Sequence, residues 1–254
     1  MDARTILITG AGSGIGQGMA LELARLGHHV VATDLDARAA EDTAGRIHAA
    51  QGSAEAHALD VTRDDSVDAV MAALTRPLEV LVNNAGLQHV APLEEFPIAK
   101  WELLVQVMLV GVARLTRAAL PGMRARNFGR VVNIGSIHSL VASRYKSAYV
   151  AAKHGLIGFS KALALETADA DITINTICPT YVMTPLVEKQ IADQARTNGI
   201  PEAQVVKEIM LKPMPKGVFI TFEELAGIAA FLVGPAARNI NGQAIVVDGG
   251  WTVQ

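Results

Sequence analysis

Cysteine is almost missing from this chain: Cys178 is the one cysteine in 254 residues. A single thiol rules out an internal disulfide and a cysteine-based metal cluster, and it suits a reducing cytoplasm. Positive charge is also short, since the formal net charge is -3. That leaves no basic footprint for nucleic acid or an anionic membrane, although local basic residues could still collect a small anion. Long apolar runs are absent too. Val105 to Leu115 is interrupted by Gln106, Gly111 and Arg114, too short and too broken to cross a bilayer. Asp2-Ala3-Arg4 leads directly into a strand-like run, with no charged segment followed by an apolar one. The expectation is a soluble, cytoplasmic protein with no metal, nucleic acid or membrane partner.

What is present is the composition of an ordinary folded domain, 50% hydrophobic and 19% charged. The length fits one domain of the larger α/β kind, spanning 1–254. Short β-branched runs alternate with helical patterns throughout. Strands are expected at Thr5–Thr9, His28–Thr33, Ala54–Leu59, Glu79–Val82, Arg130–Ile134, Ile172–Ile177 and Ala244–Val247. Helices are expected at Ile15–Leu26, Ala37–Ala50, Ile98–Arg126 and Ser147–Ala168. Such alternation predicts a doubly wound parallel sheet of about seven strands with helices on both faces. Pro179 to Gly217 carries five prolines and reads as an irregular insertion with a possible helix at Leu186–Arg196. Following a strand's carboxyl end, 183–217 is expected to be a substrate lid.

Thr9-Gly-Ala-Gly-Ser-Gly-Ile-Gly16 follows the first strand and opens the first helix. Glycines there permit a tight turn and a close approach of backbone N–H groups to a pyrophosphate. The strand-before, helix-after context gives weight to an otherwise weak string. Asp34 closes the second strand, where its carboxylate can accept from both ribose hydroxyls. It would repel a 2′-phosphate, and Leu35 rather than an arginine follows, so NAD is preferred to NADP.

Tyr149 and Lys153 are four apart, one turn of a helix, with Ser136 thirteen positions upstream. A cation beside a phenol favours phenolate and makes tyrosine a usable general base. Ser136, after a strand's carboxyl end, could steady charge on the same substrate oxygen. Taken singly, Ser136 could be a loop hydroxyl and Tyr149 a core aromatic.

Together these motifs, with Asn83-Asn84-Ala85-Gly86, resemble the short-chain dehydrogenase/reductase family over essentially the whole chain. The resemblance implies a Rossmann-like fold and an NAD-dependent oxidoreductase with Ser136, Tyr149 and Lys153 as catalytic residues. It implies cofactor contacts from Thr9, Gly10, Ser13, Gly14, Ile15, Gly16 and Asp34. Asp60 and Val61 would lie at the adenine, Asn84 and Gly86 on the cofactor side of the sheet, and Pro179, Val182 and Thr184 at the nicotinamide. A narrower similarity to bacterial 3-hydroxybutyrate dehydrogenases lies in Gly86 to Pro97, Ser136-Ile-His138, Lys146 and Thr184 to Gln190. It implies that Gln88, His138, Lys146 and Gln190, with Ser136 and Tyr149, hold a small hydroxy acid. A lysine flanked by neutral donors is chemically suited to a carboxylate in a dry pocket, although each of the four alone could be a plain surface residue.

The chain departs from the family pattern at Met108, where an asparagine is usual and is thought to hold a proton-passing water. A thioether cannot do this identically, which leaves open a catalytically weak NAD-binding protein. Thr180 stands for an expected glycine. Arg144 lies close to Lys146, as a second substrate cation or as an ordinary solvated arginine. Surplus apolar positions on the helices at Leu103–Arg126 and Ser147–Ala168 suggest a subunit contact, and the family implies a homotetramer. Trp251 could reach a neighbour or cover its own core.

Overall fold

The computed structural model describes residues 3–253; Met1, Asp2 and Gln254 lie outside the described residues. Seven strands, β1 (Thr5–Thr9), β2 (His29–Asp34), β3 (Ser53–Ala58), β4 (Val80–Asn83), β5 (Gly129–Ile134), β6 (Ile172–Pro179) and β7 (Ala244–Val247), form one sheet in the order β3-β2-β1-β4-β5-β6-β7. Every pairing is parallel. Helices cover both faces, so the inner strands are buried on both sides and need continuous apolar sequence. Thr5-Ile-Leu-Ile-Thr9 and Val80-Leu-Val-Asn83 meet that need and are buried at every position.

Nine α-helices connect the strands among the described residues: α1 (Gly14–Arg25), α2 (Ala37–Ala49), α3 (Asp64–Ala73), α4 (Ile98–Val105), α5 (Gly111–Ala125), α6 (Ser147–Glu166), α7 (Pro185–Asn198), α8 (Glu202–Val205) and α9 (Phe222–Val233). One core joins Met19 and Leu23 of α1 to Leu225, Ala229 and Leu232 of α9 under the sheet. On the other face Val67, Leu104, Leu115, Met123, Ala148, Ala152 and Leu163 form a second core from α3, α4, α5 and α6.

The strand order reverses between β1 and β4. In open parallel sheets that reversal opens a crevice beyond the carboxyl ends of the strands.

Two expectations change in detail. The helix foreseen over Ile98–Arg126 ends at Ala125 and is not uniform. Gln106–Val110 is a π turn, with the Gly111 N–H donating to the Gln106 carbonyl five residues back. Ile98–Ala125 is long and apolar enough to cross a membrane by length and composition, but Leu104, Val107, Met108 and Leu115 lie in the second core.

The segment read as irregular after Pro179 is largely helical. Thr184 caps α7 by accepting from the Val187 N–H at 3.3 Å, and Gly199 ends it with φ +63°. Val187, Ile191, Val205 and Met210 give this segment a small core of its own. Its prolines mark helix starts at Pro185 and before α8 at Pro201.

Candidate active site

The turn from β1 into α1 admits glycine alone at several positions. Gly10 and Gly14 have φ of +64° and +55°, the left-handed region where a Cβ is costly. A Cβ on Gly16 would stand 2.1 Å from the Gly10 carbonyl oxygen, and one on Gly12 2.8 Å from Asp34 Oδ2. The α1 N-terminus is left open: Ser13 makes no capping bond and the first turn holds no acidic residue. Unpartnered amides at the positive end of a helix dipole suit a pyrophosphate.

Asp34 ends β2 beside this turn. Its Oδ2 accepts from the Gly12 N–H at 2.9 Å and its Oδ1 from the Asp36 N–H at 3.1 Å. Asp36 caps α2, leaving Asp34 to face the crevice. Asn84 ties the turn to β4: its Nδ2 donates to the Thr9 and Gly10 carbonyls at 2.8 and 3.1 Å, and Thr9 Oγ1 accepts the Asn84 and Ala85 N–H groups. Asp60 holds Thr62 through Oδ1. The close-packed glycines, the open helix end and the carboxylate at the strand tip fit a dinucleotide.

One cavity of about 590 Å³ runs along this crevice. Gly10, Ser13, Gly14, Ile15, Asp34, Asp60, Val61, Asn84, Gly86, Val182 and Thr184 line it, together with Ser136, Tyr149, Lys153, Gln88, His138, Lys146 and Gln190. Three residues expected at the cofactor, Thr9, Gly16 and Pro179, do not reach the cavity. Thr9 is buried behind it with its hydroxyl on Asn84 and Ala85, Gly16 packs on the Gly10 carbonyl, and Pro179 is buried at the end of β6. Their contribution is to shape the wall.

Sequence reasoning missed the walls formed by Leu35, Leu87, Val107, Tyr181 and Val187. Apolar lining has no spacing signature, so no motif would have found them. Trp251 lines the same chain's cavity and its ring lies 6.0 Å from that of Tyr181. Arg144 is exposed and does not line the cavity, whereas Met108 does and is 1% exposed.

Tyr149 and Lys153 both project from α6 toward the end of β5. Lys153 Nζ lies 5.6 Å from the Tyr149 ring centroid and donates to the Ile134 carbonyl at 2.6 Å. Burial, outweighing the Cys178 thiol, lowers the Lys153 pKa to about 8. The phenol moves in the direction opposite to expectation. Burial raises the Tyr149 pKa, opposed by the Ser136 hydroxyl beside it. The ammonium is engaged by the Ile134 carbonyl and desolvation prevails, so these residues do not acidify the phenol as the spacing foresaw.

His138 and Lys146, at one end of the cavity, are both largely removed from solvent. Desolvation, then the Lys146 cation, takes the His138 pKa down to about 4, so the ring is neutral near pH 7. Its Nε2 meets Ser143 Oγ at 3.2 Å, while its buried Nδ1 has no partner among the described residues. Burial likewise lowers the Lys146 pKa. Tyr145 takes the left-handed conformation (φ +67°) just before Lys146, and its carbonyl accepts from the Ala91 N–H at 3.0 Å. That bond ties the loop after β5 to the loop that carries Gln88.

Residues 4–195 match the family model for the short chain dehydrogenase. The chain is 44% identical to D-beta-hydroxybutyrate dehydrogenase of Rhizobium meliloti (strain 1021), covering 99% of both chains, and 42% identical to the Cupriavidus necator protein of the same name, covering 100% of both. Among solved structures, actinorhodin polyketide ketoreductase with NADPH superposes with a TM-score of 0.92 at 32% identity, over 98% of this chain and 97% of that one. A Beutenbergia cavernae structure assigned as an NAD(P) dependent gluconate 5-dehydrogenase, with NADP bound at low occupancy, gives 0.89 at 35%, over 100% and 98%. The parallel sheet, its glycine turn and these full-length matches place the chain in the short-chain dehydrogenase family of nicotinamide-dependent oxidoreductases.

Proposed function

We propose that this chain is an NAD-dependent dehydrogenase that interconverts (R)-3-hydroxybutyrate and acetoacetate. The observation that carries the reading is one cavity bordered both by Ser136, Tyr149 and Lys153 and by Gln88, His138, Lys146 and Gln190. A poorly solvated lysine beside a neutral histidine suits a single carboxylate. The names of the Rhizobium meliloti and Cupriavidus necator relatives support the same substrate. Asp34 favours NAD through the charge it would set against a 2′-phosphate. Solved relatives carry NADP or NADPH, so cofactor choice belongs in the test.

A nicotinamide dinucleotide held along this crevice by the glycine turn and Asp34 would supply the hydride chemistry, as acceptor in oxidation and donor in reduction. Tyr149 takes the hydroxyl proton in oxidation and gives it back in reduction. Ser136 donates to the same oxygen as charge develops there. Lys153 supplies positive charge near the phenol and would hold the ribose hydroxyls of a bound cofactor. Gly10, Ser13, Gly14 and Ile15 would hold its pyrophosphate, Asp60 and Val61 its adenine, and Val182 and Thr184 its nicotinamide, with Asn84 and Gly86 on the cofactor side of the sheet. Gln88, His138, Lys146 and Gln190 grip the carboxylate, and 183–217 closes over it as a lid. The protein works in the cytoplasm as a homotetramer joined through the exposed apolar residues of α4 and α6, such as Leu103 and Leu165.

A second reading rests on Met108, whose thioether lines the cavity near the catalytic residues. It favours a catalytically weak NAD-binding protein; a related dehydrogenase for another hydroxy acid or secondary alcohol is the remaining alternative. The test follows NADH and NADPH absorbance with both 3-hydroxybutyrate enantiomers, threitol and gluconate. Fastest turnover of (R)-3-hydroxybutyrate with NAD supports the proposal. Preference for a polyol, or for NADP, overturns it.

A further inference from the structure

The glycine turn is held from behind by two side chains that do not line the cavity. Thr43 of α2 is fully buried. Its hydroxyl donates to the Ala11 carbonyl at 2.8 Å, with the Ala39 carbonyl at 3.1 Å, and it accepts from Gln17 Nε2 at 3.1 Å. Gln17, on α1, also donates to the Gly12 carbonyl at 3.2 Å. On the amide side, Ala11 N–H donates to the Thr33 carbonyl at 2.8 Å and Gly12 N–H to Asp34 Oδ2 at 2.9 Å. All four backbone polar groups of Ala11 and Gly12 are therefore taken by the protein. The amides left over are those at the start of α1, on the ligand side.

A turn with glycine at 10, 12 and 14 is intrinsically loose, and ordering it only when ligand arrives would weaken binding. The two side chains remove that cost beforehand. They also fix the residue whose N–H steers the Asp34 carboxylate. We propose that Thr43 and Gln17 are a positioning pair that presets the turn and Asp34, and so sets affinity for the adenosine-diphosphate half of the dinucleotide. The inference rests on the reading above that this cavity takes NAD(H).

Thr43→Val keeps the shape, removes the donor and leaves the buried Ala11 carbonyl without its partner. The dissociation constants of NADH and of ADP-ribose, read by fluorescence and calorimetry, should both rise about tenfold, and by the same factor. The KM for NAD should rise with them. Turnover at saturating NAD and the KM for the hydroxy acid should stay within about twofold, because the brace lies at the other half of the cofactor. Thr43→Ser, which keeps the hydroxyl, should restore wild-type affinity. Gln17→Met removes the second arm and serves as the deciding variant should Thr43→Val not fold; it should weaken both ligands in the same sense. Unchanged NADH affinity in folded Thr43→Val or in Gln17→Met overturns the inference, as does a loss confined to turnover. Wild-type protein that binds neither NADH nor NADPH would instead remove the dinucleotide reading on which it rests.

Discussion

Replacing Lys153 with methionine should abolish turnover without destabilising the fold, and pH should expose why. Lys153 is 5% exposed, and burial lowers its pKa from 10.5 to about 8. At about 1.4 kcal/mol per pKa unit, holding the ammonium charged in the fold costs roughly 3 kcal/mol. Its bond to the Ile134 carbonyl at 2.6 Å is one of the interactions that this net cost already contains. Methionine fills much of the same volume and carries no charge to desolvate, so the variant should match wild type or exceed it by up to roughly 3 kcal/mol near neutral pH. Between about pH 8 and 10.5 the unfolded lysine binds more protons than the folded one. Wild-type stability therefore gains a term that rises with pH across that window, by up to roughly 3 kcal/mol, and the variant lacks it. Urea midpoints of both cofactor-free proteins, at one protomer concentration and at about pH 7, 8, 9 and 10, give the difference curve. Parallel curves, or a variant more than about 3 kcal/mol less stable at neutral pH, would refute the claim that this ammonium is held against a desolvation penalty.

Other perturbations follow from the same geometry. His138→Gln should flatten acid sensitivity: folded His138 titrates at about 4 against 6.5 for the ordinary group, so wild type loses up to roughly 3 kcal/mol as pH falls from 6.5 to 4, measured by urea midpoints against the variant. Asp34→Asn should raise the NADH dissociation constant about tenfold and narrow the gap to NADPH, by fluorescence titration, because it removes the charge facing the 2′ position. Met108→Asn should speed turnover in steady-state assays while lowering the melting temperature, since an amide enters a site 1% exposed. Unchanged turnover would mean that the proton already leaves by another route.

Much of the fold was legible because its signals are local. Buried parallel strands read as β-branched runs, and the expected strands match the observed ones within one or two residues, as at Thr5–Thr9 and Ala244–Val247. The glycine turn was legible because Gly10, Gly14 and Gly16 answer backbone constraints that no other residue satisfies. The π turn at Gln106–Val110 left no such trace, since its residues keep a helical pattern. Gly111 sits so close that a Cβ would lie 3.0 Å from the Val61 oxygen. Prolines made the segment from Pro179 to Gly217 look irregular, yet Pro185 opens α7 and Pro201 precedes α8. The site's polar members were legible as a set, whereas its apolar walls and the brace from Thr43 depend on tertiary contacts between distant segments. The sense of the Tyr149 shift was also not legible, because spacing reports which groups meet and not how much water each has lost.

The most direct measurement compares wild type with Tyr149→Phe, using NAD and (R)-3-hydroxybutyrate, with turnover and NADH affinity read on the same preparations. The account predicts a fall in turnover of about a thousandfold or more with NADH binding within about twofold of wild type. A phenylalanine variant that keeps turnover within about tenfold would contradict the assignment of the phenol as the proton carrier.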